Sequence, residues 1–536
     1  LNKGRNKIKM AINTIEFLVF AMAVCAIYFV VPKKVKWVVL LLASYIYYFI
    51  ASDKLTIFLI ITTISIYLLA LALNKVDDKT KEICKDLEKD EKKKLKAKAN
   101  KKKKWLVVVA ILINFGILLT LKYANFFGGN INSLLSKIGI NLTIPKFNFI
   151  LPLGISYYTL QAISYVIDVY RGKYRADKNL GRVALFTSFF PQMTEGPIGR
   201  YDDLAMQLYE PHKFNYNNAK FGIQLMVWGF FKKMVIADRA GIFVNTVFAD
   251  FAQYHGIQIF MAVVLYTIQI YAEFSGCIDI VRGLAQVLGI NMAENFRRPF
   301  FSKSVQEFWR RWHITLGTWL KDYVFYPVSF SSACIKLTEK AKKLGKFVAK
   351  FVPAAFALFF VWFGNGLWHG ASWKYVFYGL YYYIIMMLGL LFEPLFDKII
   401  TKLKINKEAW WYKLIQMTRT TLFVLIGMLI FRAHRLKDAF TMFMSMLNMD
   451  NIGMITNKAL YSIGIKPADF IVIAVGVIIM LVIAIIQEKG INVRESISKK
   501  NVIFRWLLYY GILFSIIIFG IYGPGYVASD FIYGQF

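Results

Sequence analysis

The chain predicts an all-α polytopic membrane protein, and three observations carry that fold class. Hydrophobic residues fill 57% of the 536 positions and the mean hydropathy is +0.49, well above the roughly 45–50% apolar content of an ordinary globular chain. The apolar residues fall in long runs. The net charge of +34 comes mostly from lysines lying between those runs, where the positive-inside rule accounts for them without nucleic acid as a partner.

Runs near the length needed to cross about 30 Å of hydrocarbon occur around 15–31, 36–51, 55–73, 105–121, 150–169, 184–193, 219–236, 258–272, 351–363, 375–396, 414–431, 470–487 and 503–522. Some are short or broken by glycine and proline, so the expectation is about eleven transmembrane helices plus re-entrant or short helices. The first run leads into Val31-Pro32-Lys33-Lys34 rather than a small-residue cleavage site, so it is expected to remain as a span. Residues 1–73 read as N-terminal transmembrane helices. Residues 74–104, with 14 lysines and seven acidic residues, read as a charged cytoplasmic loop, a helical hairpin or arm. Residues 105–450 form the expected core, and 451–536 the C-terminal transmembrane helices with an aromatic tail. Cys25, Cys84, Cys277 and Cys334 show neither paired nor metal-like spacing and are expected to be inert. No His/Asp/Glu set has metal-ligand spacing, so no metal and no bound cofactor are assigned.

Two histidines stand out. His369 lies in Asn365-Gly366-Leu367-Trp368-His369-Gly370-Ala371-Ser372-Trp373, and His313 ends Glu307-Phe308-Trp309-Arg310-Arg311-Trp312-His313. An ionisable group in such apolar, aromatic surroundings inside a membrane is a functional candidate by default. A histidine is neutral enough near physiological pH to act as a general base, and the glycines beside His369 permit close backbone approach. His212, His255 and His434 lie near loops and read as surface residues.

The stretch 295–330 alternates bulky aromatics with Arg, Glu and Asp, so it cannot face lipid and suits a buried helix or a polar funnel. Arg297, Arg298, Arg310 and Arg311 would suit a phosphate-bearing donor, because guanidinium forks match phosphate oxygens. They could equally close helix ends and pair with Glu294, Glu307 and Asp322.

Several motifs carry a resemblance. Pro152-Leu153-Gly154-Ile155-Ser156-Tyr157-Tyr158, Phe189-Phe190-Pro191-Gln192 with Gly196-Pro197-Ile198 and Arg200-Tyr201, Gly229-Phe230-Phe231-Lys232-Lys233, Phe274-Ser275-Gly276 with Asp279, Asn295-Phe296-Arg297-Arg298-Pro299, and the Trp-rich surroundings of His313 and His369 all resemble membrane-bound O-acyltransferases. The branch is that of alginate and peptidoglycan O-acetylation, related to the teichoic acid D-alanyl transfer protein. The resemblance implies helices around a central funnel or tunnel, with His369 as the catalytic histidine and His313 as a second on the donor approach. It makes 105–450 the catalytic core. It also implies an O-acyltransferase of the cell membrane that passes acetyl groups from cytosolic acetyl-coenzyme A to an extracytoplasmic polysaccharide. An extracytoplasmic esterase-like partner is expected, because the chain has almost no soluble part to grip a glycan.

One departure is that Glu273-Phe274-Ser275-Gly276-Cys277-Ile278-Asp279 keeps the carboxylates expected in that string but lacks an aromatic hydroxyl. The terminal Asp530-Phe531-Ile532-Tyr533-Gly534-Gln535-Phe536 resembles the tail motif of this branch. That makes Tyr533 a candidate acyl carrier, against the alternative of an interfacial aromatic anchor. The alternative donor chemistry is D-alanyl transfer from a carrier protein. The alternative class is a multispan transporter with broken helices and buried charges.

Overall fold

The computed structural model describes residues 10–522. Within them the regular structure is helical, apart from one isolated antiparallel bridge between Phe296 and Trp312. Among the described residues eight helical stretches are long and apolar enough to cross a membrane, and Ile15–Val30 is a shorter apolar helix, against an expectation of about eleven. The first of the eight, Lys33–Ile83, is divided at Asp53, whose φ is 48°, into the helices Lys36–Ser52 and Thr56–Ile83. The runs at 150–169 and 184–193 form the shorter helices Ile155–Tyr170 and Leu180–Ser188, both almost wholly buried in protein. At 16 and 9 residues they are shorter than the spans, and they carry polar residues such as Gln161, Asp168 and Arg182.

The chain divides into two compact units. The first holds the described residues up to Ile223 together with Val281–Ala293. Its core includes Tyr48, Leu59, Leu118, Ile155, Tyr158 and Met193. Gly154 opens the Ile155–Tyr170 helix at φ 66°, and a Cβ there would lie 1.8 Å from the Met193 carbonyl oxygen, so only glycine fits. Gln161 and Gln192 both donate to the Phe186 carbonyl oxygen, at 2.6 and 3.1 Å, which satisfies polar groups within the buried packing. The basic 74–104 segment is a helical hairpin. Thr56–Ile83 continues past its apolar part, the chain turns, and Lys89–Lys137 returns through the lysine run into apolar sequence. Lys103 and Asp77 join the two arms at 2.8 Å.

The second unit holds Gln224–Ile280 and the described residues from Glu294 onward. Here the helices Lys346–His369 and Trp373–Lys402 form a hairpin through Gly370-Ala371-Ser372. A Cβ on Gly366 would lie 2.4 Å from the Tyr375 carbonyl oxygen, and one on Gly379 would lie 2.2 Å from that of Trp362. The two backbones thus touch at glycine, the small-residue contact that lets membrane helices approach closely. Gly370 is likewise pressed on Tyr375, since a Cβ there would lie 2.5 Å from the ring. A second close crossing places Gly229, before the π-helical turn Phe231–Ala237, against the Gly276 carbonyl oxygen on the helix Gly256–Val287. The free cysteines carry no disulfide among the described residues.

Candidate active site

His313 is positioned by a loop that closes on itself. Ser304 caps the short helix Val305–Arg311 by accepting from the Glu307 amide at 3.1 Å. The strand-like arms on either side pair through Phe296 and Trp312. The Arg297 amide donates to the Arg311 carbonyl at 2.9 Å, and the Ile314 amide donates to that of Asn295 at 3.0 Å. His313 follows at φ 47°, ψ 52°, a left-handed conformation that costs a non-glycine residue about 1–3 kcal/mol and persists only where its surroundings impose it.

The same loop orients the ring. The Asn295 side-chain oxygen accepts from the Thr315 amide and hydroxyl, each at 3.0 Å, and lies 3.3 Å from His313 Nδ1. A backbone amide can only donate, so that Asn295 atom is the oxygen, and His313 Nδ1 must carry the proton. The basic lone pair is then on Nε2. Burial pushes the His313 pKa down from 6.5 to about 3, so the imidazole is neutral throughout the physiological range.

Stability should report this shift. Below about pH 6.5 the unfolded state takes up a proton that the folded state refuses until about pH 3. The His313 contribution is therefore complete above pH 6.5 and lost progressively as pH falls toward 3. We expect the apparent Tm of purified protein to decline as pH falls from about 6.5 to about 4, and the decline to be shallower in His313→Gln. Parallel curves for the two proteins would refute this assignment.

His369 is the last residue of its helix and is 3% exposed. It sits among the rings of Trp368, Tyr378 and Phe431, with centroids at 4.9, 5.6 and 5.2 Å. Trp368 is shared by the two histidines, since its ring centroid is also 5.5 Å from that of His313. Phe274 completes the group, edge-on to His313 at 4.9 Å. A cavity of about 1140 Å³ opens beside this cluster, lined by His313, Trp309 and Trp362 and by Asn365, one helical turn before His369. Two histidines far apart in sequence are thus brought together around one indole.

The four arginines separate. Arg297 pairs with Glu294 at 2.8 Å, and Arg311 pairs with Glu307 at 2.7 Å. Glu488, at the end of the helix Pro467–Glu488, accepts from Arg298 at 2.5 Å and from Arg311 at 3.0 Å. This carboxylate therefore ties together the two arms of the His313 loop. Arg310 lines the cavity and has no carboxylate partner among the described residues. Tyr533 lies outside the described residues. His255 contacts Asp450 at 3.0 Å in an exposed pair, and His212 contacts the Gln207 carbonyl at 2.7 Å, in keeping with their reading as peripheral.

Residue-by-residue reading did not single out the buried ion network behind Phe274. Lys232 donates to Asp279 at 2.7 Å and to Ser275 at 2.9 Å. Lys233, fully buried, donates to Asp238 at 2.7 Å and to Glu273 at 2.9 Å. Glu273 and Ser275 flank Phe274, so the network holds the segment that packs on His313. Two adjacent lysines inside an apolar run, with carboxylates inside another, were the available signal, because charges buried at membrane depth must find partners. Among the described residues no group of three or more His, Cys, Asp or Glu side chains could hold a metal ion.

These features define a multi-pass helical membrane protein with two buried histidines set around a tryptophan beside a large cavity. A sequence model of the MBOAT, membrane-bound O-acyltransferase family, matches residues 177–431, which include every residue of that cluster. The chain is 31% identical to the probable alginate O-acetylase AlgI of Pseudomonas syringae pv. tomato, over 79% of this chain and 72% of that protein. It is 28% identical to the peptidoglycan O-acetyltransferase of Helicobacter pylori, over 66% of each. It is 30% identical to the teichoic acid D-alanyltransferase of Bacillus subtilis, over 54% of this chain and 70% of that protein. The chain belongs to the membrane-bound O-acyltransferase family. Acyl transfer, rather than transport, is the chemistry that this membership supports.

Proposed function

We propose that the chain is a cell-membrane O-acetyltransferase that passes acetyl groups from cytosolic acetyl-coenzyme A toward an extracytoplasmic cell-surface polysaccharide, with His369 as general base. The observation that carries the reading is the placement of His313 and His369 on one tryptophan, beside a cavity that the first lines and that reaches Asn365, one turn from the second. A thioester carbonyl is already activated, so the site needs only to orient it, exclude water and deprotonate a hydroxyl. The thioester enters the cavity and meets neutral His313. On the far side of Trp368, His369 takes the proton of the acceptor hydroxyl as its oxygen attacks the carbonyl carbon. The C–S bond breaks, and the thiolate leaving group receives a proton from the imidazolium. The acceptor hydroxyl belongs to the polysaccharide or to an esterase-like partner that delivers the group.

The relatives named for O-acetylation support acetyl as the acyl group. D-alanyl transfer from a carrier protein is a second reading, favoured by the likeness to the D-alanyltransferase. The two separate in one measurement. Membranes containing the protein, supplied with radiolabelled acetyl-coenzyme A or with D-alanyl-loaded carrier protein, should transfer label to polymer only from the former. Transfer from the carrier alone would overturn the acetyl reading while leaving acyl transfer intact.

A further inference from the structure

Several basic residues around the His313 loop and the cavity separate once their partners are known. Arg297, Arg298 and Arg311 are held by Glu294, Glu307 and Glu488. Lys303, Arg310 and Arg419, together with Lys321, line the 1140 Å³ cavity, and none of them forms an ion pair among the described residues, although Glu408, paired first with Lys413, also feels the charge of Lys303. The first three come from two separate elements. Lys303 and Arg310 stand at the two ends of the helix Val305–Arg311, and Arg419 lies midway along the helix Trp410–Arg432. Arg419 is fixed beside Lys303 by donating to the Lys303 carbonyl oxygen at 3.0 Å. It shares one face of its helix with Tyr412, Gln416, Thr420 and Phe423, which also line the cavity, as expected for positions three and four apart. The carboxylates on the same cavity are Glu393 and Asp397, and Asp397 is taken by Lys407 at 2.6 Å.

From this sorting we infer that Lys303, Arg310 and Arg419 form an anion site for a phosphate-bearing ligand, and that the paired arginines have a scaffolding role instead. A guanidinium already engaged by carboxylates offers few donors to a new anion. An arginine without a carboxylate partner at the wall of a largely apolar cavity offers its fork in surroundings where a charge-assisted bond is strong. The ligand is bound along its length: the cations hold its phosphates, and the apolar wall through Trp309 and Trp362 leads its uncharged end to His313. Phosphates of a nucleotide-bearing thioester and those of an anionic lipid headgroup share this chemistry. The inference rests on the acyl-donor reading of the cavity only for the first of these.

The test uses full-length protein in neutral detergent with adenosine 3′,5′-bisphosphate as probe, and protein in nanodiscs of phosphatidylcholine with or without phosphatidylglycerol. Binding of the bisphosphate should weaken at least tenfold in Arg419→Gln and in Arg310→Gln, and should fall steeply with added salt. Lys437→Gln, exposed and outside the cavity lining, should bind as wild type does and serves as a control for folding. Wild-type binding that survives both arginine substitutions overturns the site, yet leaves a nucleotide-bearing donor in place. If the bisphosphate does not bind, but phosphatidylglycerol is retained by wild type and lost in Arg419→Gln, the phosphate site stands and its occupant is a lipid. That result would remove support from the donor reading. Retention of neither ligand overturns the inference.

Discussion

His369→Ala should abolish O-acetylation of the cell-surface polymer while the protein still folds and inserts. The aromatic neighbours of the imidazole pack on one another as well as on it, so the cluster keeps its own contacts when the ring is removed: Tyr378 meets Phe431 at 5.1 Å and Tyr382 at the same distance. Loss of a general base costs about 10²–10⁴-fold in rate, enough to bring ester-linked acetate to background in a host without its own enzyme. The measurement is alkali-released acetate per unit polymer, normalised to membrane-inserted protein and checked by gel filtration in detergent. Donor binding should be retained, because His369 is not a wall of the cavity. Normal acetate from a monodisperse His369→Ala protein would move the base elsewhere.

Lys233→Met should produce the largest loss of stability. The ammonium is fully buried and holds Asp238 and Glu273, whose side chains are 7% and 4% exposed. Removing one partner of such a buried set leaves charge at low dielectric and costs about 3–5 kcal/mol. The apparent Tm in detergent should drop sharply, and adding Glu273→Gln should restore part of it by removing one stranded charge. Activity should fall with it, because Glu273 is the neighbour of Phe274, which packs on His313 at 4.9 Å. A Tm unchanged in Lys233→Met would show that the network does not hold the fold. A double variant less stable than the single would show that Glu273 has a more important partner than Lys233.

Much of the candidate site is legible in the sequence alone. Trp368-His369-Gly370 and Trp312-His313 announce themselves because titratable side chains among tryptophans and glycines in an apolar chain are costly and need a reason. Glycines at 366 and 370 predict close backbone approach; Gly366 meets the Tyr375 backbone, whereas Gly370 is pressed on the Tyr375 ring. The four arginines show the limit. All four have the same chemistry and lie close together in the chain, and pairing with Glu294 and Glu307 follows from local spacing. Glu488 lies 177 positions from Arg311, and nothing local in the chain points to it.

Composition and run length by themselves determined an all-helical, many-span membrane protein, because burial in hydrocarbon acts on each residue singly and is written in its side chain. The same one-residue logic picked out the two histidines, while the motifs around them were read from their resemblance to a family. That the runs at 150–169 and 184–193 fold into the short helices Ile155–Tyr170 and Leu180–Ser188, largely covered by their neighbours, was a tertiary outcome. The joining of His313 to His369 through Trp368, and the sorting of cations into paired and unpaired sets, were decided there as well. Hydrogen bonds and ion pairs need two partners at a few ångströms, and only the folded chain determines which distant residues come within that range.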